Sequence, residues 1–306
     1  MPIPNTALTL KDLPPSPAGK TGWPWTEQSP LLPERMPDGS EWPRISIVTP
    51  SYNQGQFIEE TIRSILLQGY PNLDYIIIDG GSTDKSVEII QKYARWLSYW
   101  SSEKDGGQSE AINKGFARST GQIMGWVNSD DLLVSSALYI LACVYKPGLS
   151  WWHGDALHML QNGSLKNYPQ FIFKINQNYL LHSRLIIQQI STFWSRDLWE
   201  KSGSYISLLD MAMDYELWLR FSKYCSASLI NETLGIFRTH EEAKTGTDKG
   251  FSLYVNEVDS IRINEYDKRR YGRILRFIFV SFWTRLYLSK VYGWRSWFGR
   301  RQIPYI

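Results

Sequence analysis

The chain has 306 residues, 43% of them hydrophobic, a formal charge of +3 and two cysteines. This length buries one large core or two modest ones, and the near-neutral balance excludes a protein devoted as a whole to nucleic acid or membrane. Cys143 and Cys225 each lie inside an apolar segment, so neither a disulfide framework nor a zinc centre is signalled, and a reducing, cytoplasmic setting is expected.

Residues 1–43 are Pro-rich with neither helical nor strand period, which predicts an extended arm over the domain, anchored by Trp23, Trp25 and Trp42. No basic start followed by an apolar stretch marks a secretory signal there. At Arg44 the pattern changes. "ISIVTP" (45–50) predicts a strand ended by Pro50, and "FIEETIRSILLQ" (57–68) a helix with Ile58, Ile62, Ile65 and Leu66 on one face. "DYIIIDG" (74–80) is the next strand, and "TDKSVEIIQKYARW" (83–96) a helix capped by Thr83 or Asp84. "SEAINKGFA" (109–117) predicts a helix and "GQIMGWVNS" (121–129) a strand. Strands alternating with helices, each strand nearly continuously apolar, predict a mostly parallel α/β sheet covered on both faces. Further on, "LSWWHGDAL", "ISTFW", "SASLIN" and "LGIFRTH" predict short strands. "AMDYELWLRFSKY" and a long segment from about Gly250 predict helices. Four regions result: an arm (1–43), a first α/β half (44–145), a second half (146–250) and an extension (251–306).

Ligands of open parallel sheets bind beyond the carboxyl ends of the strands, and three polar clusters fall there: "TPSYNQG", "DGGSTD" and "NSDD". Neither GxGxxG nor GxxxxGK[ST] is present, which takes most of the support from a dinucleotide fold and a P-loop. The adjacent carboxylates Asp130 and Asp131 repel unless a cation joins them. Mg²⁺ or Mn²⁺ is held by one or two carboxylates plus substrate phosphates. The alternative is that Asp130 caps a helix starting near Leu132 while Asp131 faces water.

"IVTPSYNQGQFIEETIRSILLQGYPNLDYIIIDGGSTDKS", "SEKDGGQSEAINKGF" and "GQIMGWVNSDD", in this order and spacing, closely resemble the family 2 glycosyltransferases of the Rossmann-like GT-A fold, over about residues 42–245. The resemblance implies an inverting, metal-dependent enzyme. It would take a sugar from a nucleotide diphosphate donor, a UDP-sugar first of all, to a saccharide or lipid-linked acceptor in cell-surface glycan assembly. Carried over residue by residue, it implies Pro50, Tyr52 and Asp79 around the base, with Tyr52 stacking and Asp79 accepting a ring N–H. Asp105 and Lys114 would face base, ribose or phosphate. Asp131 would hold Mn²⁺ or Mg²⁺ with Asp130, which also meets the ribose, and His240 would join the metal or diphosphate. Asn128 stands where the family motif usually begins with Asp. Asp214 is the implied general base, second acid of an acidic pair whose first member is here Met213. Phe193 and Trp194 are expected to stack on a sugar at the acceptor side, or else to be core. The departures at Asn128 and Met213 leave a rival: a non-catalytic nucleotide-sugar-binding or scaffold protein.

From Ile261 onward eleven Lys or Arg stand against Glu265 and Asp267, a balance of +9 that leaves about −6 for the rest. Interleaved with aromatics, this tail predicts peripheral contact with an anionic membrane on its inner face; the alternative is that the apolar residues of 274–288 pack back on the domain while the arginines are solvated. Its longest apolar run, "FIFVSFW" (277–283), is too short to span a bilayer.

Overall fold

The computed structural model describes residues 7–167, 175–182, 187–241, 243–244 and 248–268. The elements in chain order are β1 (Ile45–Ser51), α1 (Ile58–Leu66), β2 (Leu73–Asp79), α2 (Ser86–Tyr93), β3 (Tyr99–Ser102), α3 (Gln108–Phe116), β4 (Ile123–Trp126), β5 (Leu132–Leu133) and α4 (Ala137–Val144). They continue with β6 (Trp151–Met159), β7 (Leu165–Asn167), α5 (Gln177–His182), β8 (Thr192–Ser195), α6 (Arg196–Lys201), α7 (Met213–Phe221), β9 (Ser228–Arg238) and α8 (Asp248–Lys268). One sheet runs in the order β3-β2-β1-β4-β8-β6-β9-β5, with β7 beside β6. The halves divided at residue 145 in sequence therefore share a single sheet.

The strands β3, β2, β1 and β4 are all parallel, as their unbroken apolar runs require, whereas β8 runs antiparallel to both its neighbours. Helix α1 buries Ile58, Ile62, Ile65 and Leu66 on one side of the sheet. Each such side chain contributes about 1.5–3 kcal/mol. On the other side α3 and α7 pack over Trp126, Trp151, Trp194 and Trp218. Phe193 and Trp194 are fully buried, so they belong to the core and not to a sugar-facing wall. A Cβ at Gly125 would lie 2.4 Å from the Phe193 ring, which is why β4 carries glycine there.

Three sequence expectations are corrected. "SASLIN" and "LGIFRTH" form one strand, β9, because β6 pairs along both across an irregular register. Helix α2 begins at Ser86, and Asp84 accepts the Ser86 N–H from just outside it. Short β3 escaped the sequence reading because only four residues, partly exposed, complete the sheet edge.

The arm is part of the fold. Leu13, Trp25 and Trp42 are buried in or against the domain. The anchor is Arg63 of α1, 1% exposed: it donates to the carbonyls of Pro14, Pro24 and Trp25 at 2.8–3.1 Å and lies 5.3 Å over the Trp25 ring. Farther along, the Trp23 indole donates to the Leu133 carbonyl and Ser29 Oγ accepts the Ser136 N–H, tying the arm to the segment after Asp131. Among the described residues no helix is long and apolar enough to cross a membrane. The basic, aromatic segment from residue 269, expected to meet a membrane, lies outside the described residues.

Candidate active site

The crevice opens where β1 and β4 part. Val48 O accepts the Val127 N–H while Ser51 O accepts the Gly80 N–H, so even residues of β1 face β4 and odd ones face β2. Pairing with β4 ends at Val48, so the N–H that Pro50 lacks falls where no partner strand needs it. Pro50 is thus a buried strand residue that lets the crevice open. Next in sequence but one, Tyr52 is 62% exposed, an aromatic face left for a planar ligand.

The loops around Tyr52 are laced together. Asn53 has φ +52°, donates its N–H to Ser82 Oγ and accepts the Thr83 N–H; Gln54 N–H donates to Ser86 Oγ and Gly55 N–H to Asp84. Asp79 is fully buried and its carboxylate accepts from Ser51 Oγ, Gly81 N–H, Ser82 N–H, Ser82 Oγ and Ser102 Oγ at 2.6–3.1 Å. With five donors the carboxylate is the knot of these loops, and a base N–H would have to share an already engaged oxygen. Asp105 is different. Its Oδ1 accepts from Gly107 N–H, but Oδ2 is buried without a hydrogen-bond partner, next to Gly80, where a Cβ would stand 3.1 Å from the carboxylate. An orphaned acceptor beside a glycine-lined approach fits a ligand hydroxyl or N–H. Lys114 is spoken for: it pairs with Glu110 at 3.0 Å and, at 3.4 Å, with Glu103 of the loop that carries Asp105.

At the end of β4 the two carboxylates take unlike environments. Asp131 is 1% exposed; Oδ1 accepts the Arg238 N–H at 2.9 Å and Oδ2 the Asn128 amide at 3.2 Å. Burial first, then the Asp130 charge, push its pKa well above the usual carboxylate range. Asp130 instead turns its Oδ2 to His240 Nε2 at 2.9 Å. The ring of His240 lies 4.6 Å from Phe57 and its Nδ1 is buried without a partner. Asp131, expected to lead the metal ligands, is engaged by the chain itself, and the pair open to an ion is Asp130 with His240. Two adjacent ligand atoms of an octahedral ion at about 2.1 Å stand about 3 Å apart, so this 2.9 Å pair fits Mg²⁺ or Mn²⁺. Among the described residues no third His, Cys, Asp or Glu joins them, which leaves the other positions to phosphate and water.

Sequence reasoning missed the residue that organises this corner. Arg238 donates its N–H to Asp131, Nε to the Asp130 carbonyl and Nη2 to Glu60 of α1 at 3.0 Å, with its guanidinium over Phe57. The signal was the two-residue spacing of Arg238 and His240 at the end of a strand. A pocket of about 350 Å³ lies beyond, walled by Gln56, Phe57, Met159, Gln161, Arg238 and Glu241.

Asn128, also missed as a contact maker, accepts from Gln108 Nε2 of α3 at 2.8 Å. The next residue, Ser109, donates to the Leu209 carbonyl and to Met213 Sδ. The first turn of α3 thus bridges the Asp130 corner to the start of α7, where Asp214 lies. Burial raises the Asp214 carboxyl to about 6, against the pull of the Tyr215 N–H at 2.7 Å. Glu216 is excluded from chemistry by its partners, Arg220 at 2.8 Å and Ser207 Oγ at 2.7 Å. A half-buried carboxylate raised to about 6, with no cation beside it among the described residues, suits proton transfer.

A mostly parallel sheet with carboxylates and an exposed aromatic at its carboxyl edge is the arrangement of a GT-A fold. Residues 46–143 match glycosyl transferase family 2. It is 28% identical over 251 residues to the glycosyltransferase GlyG of Streptococcus pneumoniae, covering 79% of this chain and 76% of that one. It is 27% identical over 227 residues to an uncharacterized glycosyltransferase of Rickettsia typhi, covering 67% of each. Among solved structures, residues 1–349 of S. aureus TarS in complex with UDP superpose with a TM-score of 0.59 at 18% identity, covering 80% of this chain and 72% of that one. The chain spans 39% of the longer TarS chain. The mannosyltransferase PcManGT of Pyrobaculum calidifontis, in complex with GDP-Man and Mn²⁺, gives 0.56 at 17% identity, covering 83% and 67%.

Proposed function

We propose that the chain transfers a glycosyl group, with inversion, from a nucleotide diphosphate sugar to a hydroxyl acceptor in the building of a cell-surface polysaccharide or glycolipid. UDP in TarS and GDP-Man with Mn²⁺ in PcManGT support the donor class and the cation; a UDP-sugar is the expected donor. Tyr52 stacks on the base, and Asp105 accepts from the nucleoside. Asp79 keeps the base-binding loops in shape, Asp130 and His240 hold the ion, and Asp131 and Arg238 fix Asp130 in place. When bound, the ion neutralises charge gathering on the departing diphosphate. The acceptor hydroxyl attacks the anomeric carbon and gives its proton to Asp214. The bond from that carbon to the diphosphate oxygen breaks, and its electron pair leaves with the nucleoside diphosphate.

The observation that carries this reading is Asp214, held near a pKa of 6 on a helix that α3 ties to the Asp130 corner. The test is a panel of UDP- and GDP-sugars with Mn²⁺ or Mg²⁺, scored by thermal shift and by release of nucleoside diphosphate. At least one sugar nucleotide should stabilise the protein only with the ion and be slowly hydrolysed. If none does with either ion, the reading fails. Localisation at a membrane is a separate proposal, tested by salt-sensitive co-sedimentation of the full chain with anionic vesicles.

A further inference from the structure

The helix that carries Asp214 begins without a cap of its own. Its N-cap is Ala212, whose methyl group accepts nothing, and within the first turn only the Tyr215 N–H is taken up locally, by the Asp214 carboxylate itself. The donors of the entering turn go elsewhere: the N–H groups of Asp210, Met211 and Ala212 converge on the carboxylate of Glu257 at 3.2, 3.0 and 2.8 Å. Glu257 lies in α8, which is 45 residues further along from Ala212. The same turn is held from the other side by Ser109, which donates to the Leu209 carbonyl. Tyr254, one turn before Glu257 on α8, has its phenol pKa raised first by burial and then by the nearby Asp214 charge.

A general base must be held within a fraction of an ångström of the proton it takes, and a side chain on the first turn inherits its aim from the backbone entering the helix. One carboxylate gathering three successive amides removes most of that turn's freedom. We infer that Glu257 is a positioning residue of the reaction: it fixes the Asp210–Ala212 turn and thereby the direction of the Asp214 carboxylate. This rests on Asp214 as the base. It also makes α8 part of the reaction centre, although the match to the family ends at residue 143.

The probe is release of nucleoside diphosphate from UDP-glucose, UDP-GlcNAc or GDP-mannose with Mn²⁺, whichever the unaltered protein hydrolyses fastest. Glu257→Ala should lower kcat at least tenfold with KM within threefold, and hydrogen exchange should quicken at the Met211 and Ala212 amides. Glu257→Gln keeps one carbonyl oxygen as acceptor and should recover most of the rate, whereas the shorter Glu257→Asp should not. If Glu257→Ala does not fold, the Gln and Asp variants carry the comparison. Folded Glu257 variants with unaltered kcat, or with losses confined to KM or to thermal stability, overturn the inference. Asp214→Asn measured in parallel separates the two claims. If that variant keeps its rate, the base assignment is wrong. If it is inactive while the Glu257 variants are fully active, only the positioning role is wrong. Combining Glu257→Ala with Asp214→Asn should cost no more than Asp214→Asn alone.

Discussion

The two banks of the crevice are rigid by different means. On the Tyr52 side three loops at neighbouring strand ends hold one another, with Asp79 as their knot and Asn53, Ser82, Asp84 and Ser86 as short cross-ties. On the Asp214 side the turn before α7 is held by single residues borrowed from α3 and α8, Ser109 and Glu257. A bank built from its own loops tolerates the loss of one tie, because the others remain. A bank hung from two distant helices transmits any change in them directly to its functional residue.

The largest expected effect strikes that second bank at its tip. Asp214→Asn should reduce turnover by about 10²–10⁴-fold while calorimetry finds donor affinity within a few-fold; collapse of donor binding would move Asp214 to the donor side of the comparison. The same substitution should stabilise the protein. The Asp214 pKa is raised to about 6 from 3.8, so ionisation weakens the folded state above pH 6, and that loss is absent below about pH 4. Thermal melts at pH 7.5 should show Asp214→Asn more stable by about 2 kcal/mol, and the two proteins alike at pH 4. Unaltered turnover should fall tenfold per pH unit on the acid side of about pH 6, as the base protonates.

Next comes the Asp130 corner. Asp130→Ala should abolish stimulation by Mn²⁺, whereas Asp131→Asn should keep it in part, since Asp131 is occupied by Arg238 and Asn128. The reverse pattern, read from metal titrations of both variants, would restore Asp131 as the leading ligand. The smallest effect belongs to the self-laced bank. Tyr52→Ala should weaken nucleoside diphosphate binding by about 1–2 kcal/mol through lost stacking, with kcat nearly unchanged. A loss of more than a hundredfold in kcat would mean that this bank is as unbuffered as the other.

What was legible in the sequence follows the same division. Tyr52, Asp79 and Asp130 stand at the ends of strands legible in the sequence, Asp105 was reached only through the resemblance, and the alternation of apolar strands and helices pointed to the parallel half of the sheet. The unequal lots of Asp130 and Asp131 were not legible, because they depend on Arg238, 107 residues beyond Asp131. Lys114 looked like a ligand-facing cation until its partners Glu103 and Glu110 were in place. Phe193 and Trp194 read equally as wall or core, and only the pairing of β8 between β4 and β6 decides it. Glu257 lies beyond the residues that carry the resemblance, so no motif drew attention to it.

The arm has a consequence for the order of events during synthesis. Its Trp25 waits for Arg63 and its Trp23 for Leu133, 110 residues later in the chain. At about 5–20 residues per second, the arm stays without its last partner for about 5–20 s after its own synthesis. During that interval Leu13, Trp23, Trp25 and Trp42 are open to other contacts, and the prolines around them, poor strand and helix formers, keep the waiting segment from pairing with a neighbouring nascent chain.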